Sequence, residues 1–447
     1  MAADVKIALC RYFSATLSIS KIMKRTHTFA LSVVLAALGL TASTFAPLGM
    51  SSAHAQTAAA PADTLSAEIY KLAKPLPELL AAKKYPEAQA ILTQIDAMPN
   101  KTAFESYYAE TLRATIAQAT GDKAGTIKAY MTLVASGRLA PADAIKTIQQ
   151  LGVRYYEMKD YPAAITWLTR FLKEAGEDRQ MRMLLIQSYY LNNDFARTAT
   201  ELRAIIDAEE KAGTKPAQET LQLFASAIIN LKDKPGYTEV LEKYVAYYPK
   251  KEYWSDLLHR VETKPGFPER LVLDIYRLQF AADSMGSANE YVDMAQLAVA
   301  AGFPGEAKKV LDQGYASGLM GSGSPADIKV QQKLREQVNK FAADDLKTIA
   351  NGEADANKPG KDGNALVNLG FALVQAGQFD KGLALIERGI AKGLGKRAED
   401  GKLHQGIALA AAGRKAEAIK VLASVGGTEG AADLARYWIL HLNYAAK

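Results

Sequence analysis

Apolar residues recur along this chain at three- and four-residue spacing, the period of a helix with one buried face, from residue 64 almost without pause to Leu442. Sustained period-two alternation beside Asn-Gly or Asp-Gly turns, the mark of strands and hairpins, is absent, so the fold class expected is all-α. The helical pattern also repeats. Tyr155, Tyr156, Asp160 and Tyr161 are matched 34 residues later by Tyr189, Tyr190, Asp194 and Phe195, and Leu151 and Leu168 by Leu185 and Leu202. That period predicts an α-solenoid of stacked antiparallel helix hairpins, each burying its apolar face only against its neighbours.

Corners between helices recur as well. Tyr85-Pro86, Tyr161-Pro162 and Phe267-Pro268 each place an aromatic residue before a proline. Proline suits the first helical turn, where its missing N–H has no intrahelical partner. Gly121, Gly302, Gly377 and Gly413 mark further corners, where glycine accepts the left-handed conformation that ends many helices.

On these residues the chain resembles the tetratricopeptide repeat family. Leu151-Gly152, Tyr155, Tyr161, Ala164, Leu168 and Phe171 follow that family's order of large, small and aromatic positions. Leu185, Tyr189, Phe195, Leu202 and Ile205 continue it, with Ile186 and Thr198 where small residues are expected. Gly370, Leu373, Phe379, Gly382, Leu383 and Ile386 recur 36 residues on as Gly406, Leu409, Lys415, Ala418, Ile419 and Leu422. The resemblance implies scaffolding or peptide binding rather than chemistry.

One stretch interrupts the stack. Residues 318–324 are Gly/Ser-rich, 325–350 read as one long helix with Val330, Leu334, Val338 and Phe341 on a face, and 351–363 read as a polar loop. The expected organisation is a solenoid over 64–320, the long helix, the loop, and C-terminal hairpins over 364–447 capped by a helix from Ala431 to Leu442.

The first residues change the picture of compartment. Lys24-Arg25, an apolar run from Phe29 to Leu40 and Ala53-His54-Ala55 stand in the order of a secretory signal with cleavage after Ala55, translation starting at Met23, and 56–63 as a flexible leader. The expected location is periplasmic, with no transmembrane segment after cleavage. Removing 55 of 447 residues leaves no cysteine and 49 Lys/Arg against 47 Asp/Glu. Disulfides and thiolate chemistry are thereby excluded, and no basic stripe points to nucleic acid.

Candidate chemistry is sparse. His259, His404 and His441 are far apart and form no H-E-x-x-H pair, so no metal site is expected. Asp256 and His259 read as a local ion pair or solvated face. Gly321 to Ala326 matches G-x-G-x-x-A but lacks the preceding strand, and reads as an inter-helix loop. No catalytic residue and no cofactor is assigned.

What remains is a surface. Four Tyr-Tyr pairs stand at 107–108, 155–156, 189–190 and 247–248. Carried over position by position from the family resemblance, the concave groove comprises Lys146, Gln149, Val153 and Tyr156, then Gln180, Met183, Gln187 and Tyr190. Glutamine, lysine and tyrosine together suit an extended peptide. The function expected is a non-catalytic scaffold or adaptor for an envelope or periplasmic protein or peptide. A cell-wall enzyme on a helical solenoid, like the lytic transglycosylases, and a structural subunit of an envelope assembly stand as alternatives.

Overall fold

The computed structural model describes residues 63–358 and 361–444. The export signal expected in residues 1–55 lies outside the described residues, as does the leader except its last residue. The described residues form α-helices, two short 3-10 turns and no strand, and no described helix is long and apolar enough to cross a membrane. The chain divides into two compact units, Met1–Ala208 with Gln222–Leu231, and Glu209–Leu221 with Lys232–Lys447.

The first unit begins with α1 (Ala67–Ala73), α2 (Leu76–Ala81), α3 (Tyr85–Ala97) and α4 (Ala103–Thr120). Ile69, Leu76, Leu92 and Ile95 pack there against Leu112 and Ile116 of α4. A capping box starts α4: the Thr102 hydroxyl accepts from Glu105 N, and the Glu105 carboxylate accepts from Thr102 N at 2.8 Å and from Ser66 N at 2.9 Å. Next come α5 (Lys123–Ala135), α6 (Pro141–Glu157), α7 (Tyr161–Ala175), α8 (Arg179–Leu191), α9 (Phe195–Lys211) and α10 (Gln218–Leu231). The last two extend across the division between the units.

The 34-residue repeat is visible atom by atom. Between α6 and α7, Lys159 takes a left-handed φ of 63°, Asp160 caps by accepting from Ala163 N at 3.2 Å, and Tyr161 meets Tyr156 edge-on at 5.9 Å. Between α8 and α9, Asn193 takes φ 60°, Asp194 accepts from Arg197 N at 3.1 Å, and Phe195 meets Tyr190 at 5.4 Å. A staple between a corner aromatic and the preceding helix closes both hairpins. Helix contact within a hairpin also follows one offset. Gly152 lies against Leu168, Gly370 against Ile386 and Gly406 against Leu422, each pair 16 residues apart. A small residue on the first helix admits a large one from the second.

The second unit holds α11 (Lys234–Tyr247), α12 (Lys251–Glu262), α13 (Val272–Ala281), α14 (Ala288–Ala300), α15 (Pro304–Ala316), α16 (Pro325–Ala356), α17 (Asn364–Gln375), α18 (Phe379–Lys392), α19 (Ala398–Ala411), α20 (Lys415–Leu422) and α21 (Ala431–Tyr444). One core runs from Leu241 and Trp254 through Phe303 and Phe371 to Leu434 and Trp438. Helix α21 packs on α19 and α20 and also on α11 and α13. Ion pairs join the same distant segments: Lys264 to Asp433, Arg270 to Asp400 and Arg436 to Glu242, at 2.5, 2.6 and 2.8 Å.

The boundary expected between 320 and 364 therefore does not separate modules, because helices on both sides of it share that core, with Phe303 against Phe371 at 5.6 Å. Helix α16 runs on to Ala356, so 351–356 of the expected polar loop are helical. Its buried stripe also differs from expectation. Gln331, Val338 and Ala342 are buried, whereas Val330 and Phe341 are 57% and 47% exposed. Polar anchors set this rotation: Gln331 Oε1 accepts from Gly321 N at 2.7 Å and Arg335 pairs with Asp312 at 2.8 Å. In the loop before α16, the Ser324 hydroxyl accepts from Asp327 N, so the G-x-G-x-x-A stretch serves as a helix cap.

Candidate functional site

The expected groove residues sit on α6 and α8, helices brought side by side by the stacking of their hairpins. Two of them do not form surface. Val153 and Gln187 are each only 1% exposed, because α6 and α8 approach closely enough to bury the facing row. Lys146 and Gln180 are exposed, and Gln149, Met183, Tyr156 and Tyr190 are half-buried. Lys146 has Asp143 at 3.8 Å, one turn back.

The structure joins several of these side chains into rungs between successive helices. Tyr156 OH donates to Gln187 Oε1 at 3.1 Å, crossing from α6 to α8. Tyr190 OH lies 2.7 Å from Ser226 Oγ, crossing from α8 to α10. The two rings also pack on the corner aromatics Tyr161 and Phe195, so each tyrosine holds its own hairpin and ties it to the next. Burial, with Tyr161 close by, pushes the Tyr156 hydroxyl up to about 12, so it remains a proton donor at any physiological pH. The Gln187 amide nitrogen is buried with no acceptor among the described residues, an expensive arrangement for a donor. The surface left over this floor is Gln149 and Met183, flanked by Lys146 and Gln180.

Asp256 does not pair with His259: it accepts from Arg260 Nε at 2.9 Å and from Tyr237 OH at 3.2 Å, and His259 is exposed. Among the described residues no three His, Cys, Asp or Glu side chains gather as metal ligands would.

A second polar centre lies in the second unit, and sequence reasoning missed it. Arg277 on α13 is buried, and its guanidinium donates to both Glu306 oxygens at 2.8 and 2.7 Å and to Asp274 Oδ1 at 2.8 Å. The rings of Phe303 and Phe371 flank it at 4.9 and 4.4 Å. His404 Nε2 lies 3.1 Å from both Asp274 oxygens. Burial alone would raise the Asp274 carboxyl; His404 and Arg277 outweigh it and hold the group well below the usual carboxylate range. The i, i+3 spacing of Asp274 and Arg277 was the available signal, but Glu306 and His404 come from helices 29 and 127 residues beyond Arg277.

The family model described as tetratricopeptide repeat matches residues 150–212 and 367–432, the first spanning α7 and α8 with their neighbours and the second α17 to α20. No curated protein matches the chain. A solved structure, "Structure of Naa15/Naa10 bound to HypK-THB", matches at 16% identity over 82% of this chain and 58% of that chain, with a TM-score of 0.29. The chain thus spans less than two thirds of that relative, and so low a score carries no argument about function. The chain is an all-helical, hairpin-built protein with two segments similar to tetratricopeptide repeats.

Proposed function

We propose that the protein is a non-catalytic scaffold of the periplasm that holds an extended segment of a partner protein on the α6–α8 face of its first unit. The observation that carries this reading is the pair of rungs, Tyr156 to Gln187 and Tyr190 to Ser226. They lock neighbouring helices into one preorganised floor, which lowers the ordering cost of binding. Gln149 and Gln180 offer amide donors and acceptors to a backbone, Met183 an adaptable apolar contact, and Lys146 a cation. Repeats of this type present such faces for protein contact. The export signal read in residues 1–55 supports the location.

The test is crosslinking in cells of the C-terminally tagged chain, beside a Gln149→Glu/Met183→Glu variant. These half-exposed positions accept charge without entering the core, so thermal unfolding should be unchanged. Recovery of one or two partners by the parent and their loss in the variant is the expected result. Equal recovery by both would remove the groove from the reading, and no specific partner would remove the scaffold itself. Sequencing of the exported form should begin at Gln56; a cytoplasmic chain that retains residues 1–55 would reject the location.

A further inference from the structure

The second unit contains a cavity of about 420 Å³ between α13, α14, α15, α17, α19 and α21, within the size range of small-molecule sites. Phe280, Met294, Ile407, Trp438 and Leu442 contribute an apolar wall. The formally charged side chains that line it are balanced, two of each sign. Arg277 is bonded to both oxygens of Glu306 and, behind them, to Asp274. At the rim Lys309 stands exposed, as does Asp283, which has Lys251 4.0 Å away.

What is left unbalanced is backbone. Helix α13 ends at Ala281, α17 at Gln375 and α19 at Ala411, and all three residues line the cavity. A helix C-terminus carries partial negative charge, which a cation in the last turn ordinarily offsets. None of the three has a basic residue in its last turn. The carbonyls of Ala281, Gln375 and Ala411 accept no hydrogen bond among the described residues. Nearby, His441 of α21 stands edge-on between Trp254 and Trp438 at 6.2 and 5.7 Å. Burial lowers its imidazole pKa, so at neutral pH it adds no positive charge and keeps a lone pair that can accept. These features favour a cation over an anion, and the aromatic wall favours an organic one. A metal ion would lack ligands, since no three His, Cys, Asp or Glu side chains gather among the described residues. We infer that this cavity binds a small organic ammonium, an aromatic or alkyl amine in chemical class, with its charged end toward the three helix termini. The site lies in the second unit and is independent of the scaffold reading.

Three probes that share a ring and differ in charge separate the contributions: benzylammonium, benzyl alcohol and benzoate. Each is titrated by calorimetry into the full chain at low salt. Benzylammonium is expected to bind saturably, about tenfold more tightly than the other two. Ala411→Lys puts a cation in the last turn of α19, where it complements the helix end and should hold or raise the thermal midpoint. It should weaken benzylammonium about tenfold. Lys309→Gln, which removes a cation from the rim, should tighten benzylammonium about threefold. No saturable binding up to about 10 mM benzylammonium overturns the proposal, as does equal binding by benzyl alcohol or benzoate. Undiminished binding by Ala411→Lys, or weaker binding by Lys309→Gln, overturns it too. Should Ala411→Lys fail to fold, Ala281→Lys, exposed at the end of α13, takes its place with the same expected loss.

Discussion

Glu105 carries more of the first unit's stability than an isolated surface carboxylate can. Burial alone would raise its pKa, but the N–H groups of Ser66 and Thr102 outweigh that and hold it at about 2, against an ordinary 4.5. A depressed carboxylate contributes stability that is present above its unfolded pKa and lost as pH falls through the folded one. Glu105→Gln should therefore lower the thermal midpoint at pH 7, and the gap from the parent should close between about pH 4.5 and pH 2. A gap independent of pH would mean that the charge contributes nothing. Ala164, fully buried between α6 and α7, tests the repeat register. Ala164→Asp places an unpaired charge there and should cost about 3–5 kcal/mol, read by chemical denaturation. An unchanged midpoint would reject the register.

At the scale of the hairpin, two glycine pairs bring the backbones of α17 and α18 into direct contact. A Cβ on Gly370 would collide with the Gly382 carbonyl and sit 2.8 Å from Ile386 Cγ1, and one on Gly382 would sit 2.5 Å from the Gly370 carbonyl. Gly363 and Gly389 repeat the arrangement farther along the pair, each facing the other's carbonyl. Backbone cannot yield as a side chain can, so Gly370→Ala should destabilise by about 1–3 kcal/mol despite alanine's better helix propensity. Gly305, at the start of α15, where an added Cβ would meet nothing within 4 Å, is the control, and Gly305→Ala should gain up to about 1 kcal/mol. A gain in stability from both substitutions would show that propensity, not contact, governs them. These hairpins were legible in the sequence because their determinants lie within one period. The 16-residue packing offset, the Asp160 and Asp194 caps and the corner aromatics are all near neighbours in the chain. The candidate face was only partly legible. The family resemblance put Val153 and Gln187 on the exposed face, but how closely α6 and α8 approach, and so which of their rows is covered, depends on packing between hairpins.

Across the second unit, the buried set of Asp274, Arg277, Glu306 and His404 ties α13, α15 and α19 together. Every charge in it is paired, and removal of Arg277 leaves the buried Glu306 without its partner and Asp274 with His404 alone. Arg277→Met, which keeps the length of the side chain and its contact with Phe303 and Phe371, should still cost about 3–5 kcal/mol. Restoration of stability by Arg277→Met with Asp274→Asn and Glu306→Gln would assign the loss to stranded charge, whereas a persistent loss would assign it to the flanking rings. Because α21 packs on helices nearly two hundred residues earlier, with Arg436 bonded to Glu242 across 194 positions, the second unit should unfold in one transition. A separate early transition of 364–444 would contradict the shared core.

By itself the sequence determined what depends on near neighbours: helices rather than strands, where hairpins turn, which residues cap them, and a period that forces stacking. Helical periodicity and corner chemistry act within a turn or within one 34-residue unit, so they can be read without knowing what lies opposite. The tertiary structure alone decided which face each helix buries, as Gln331 rather than Val330 shows on α16. It also decided that helices on either side of the stretch from 318 to 363 share one core, and that a buried ion network and a cavity lie in the second unit. Those outcomes depend on pairings such as Arg270 with Asp400, 130 residues apart, whose energies arise only when the chain has closed on itself.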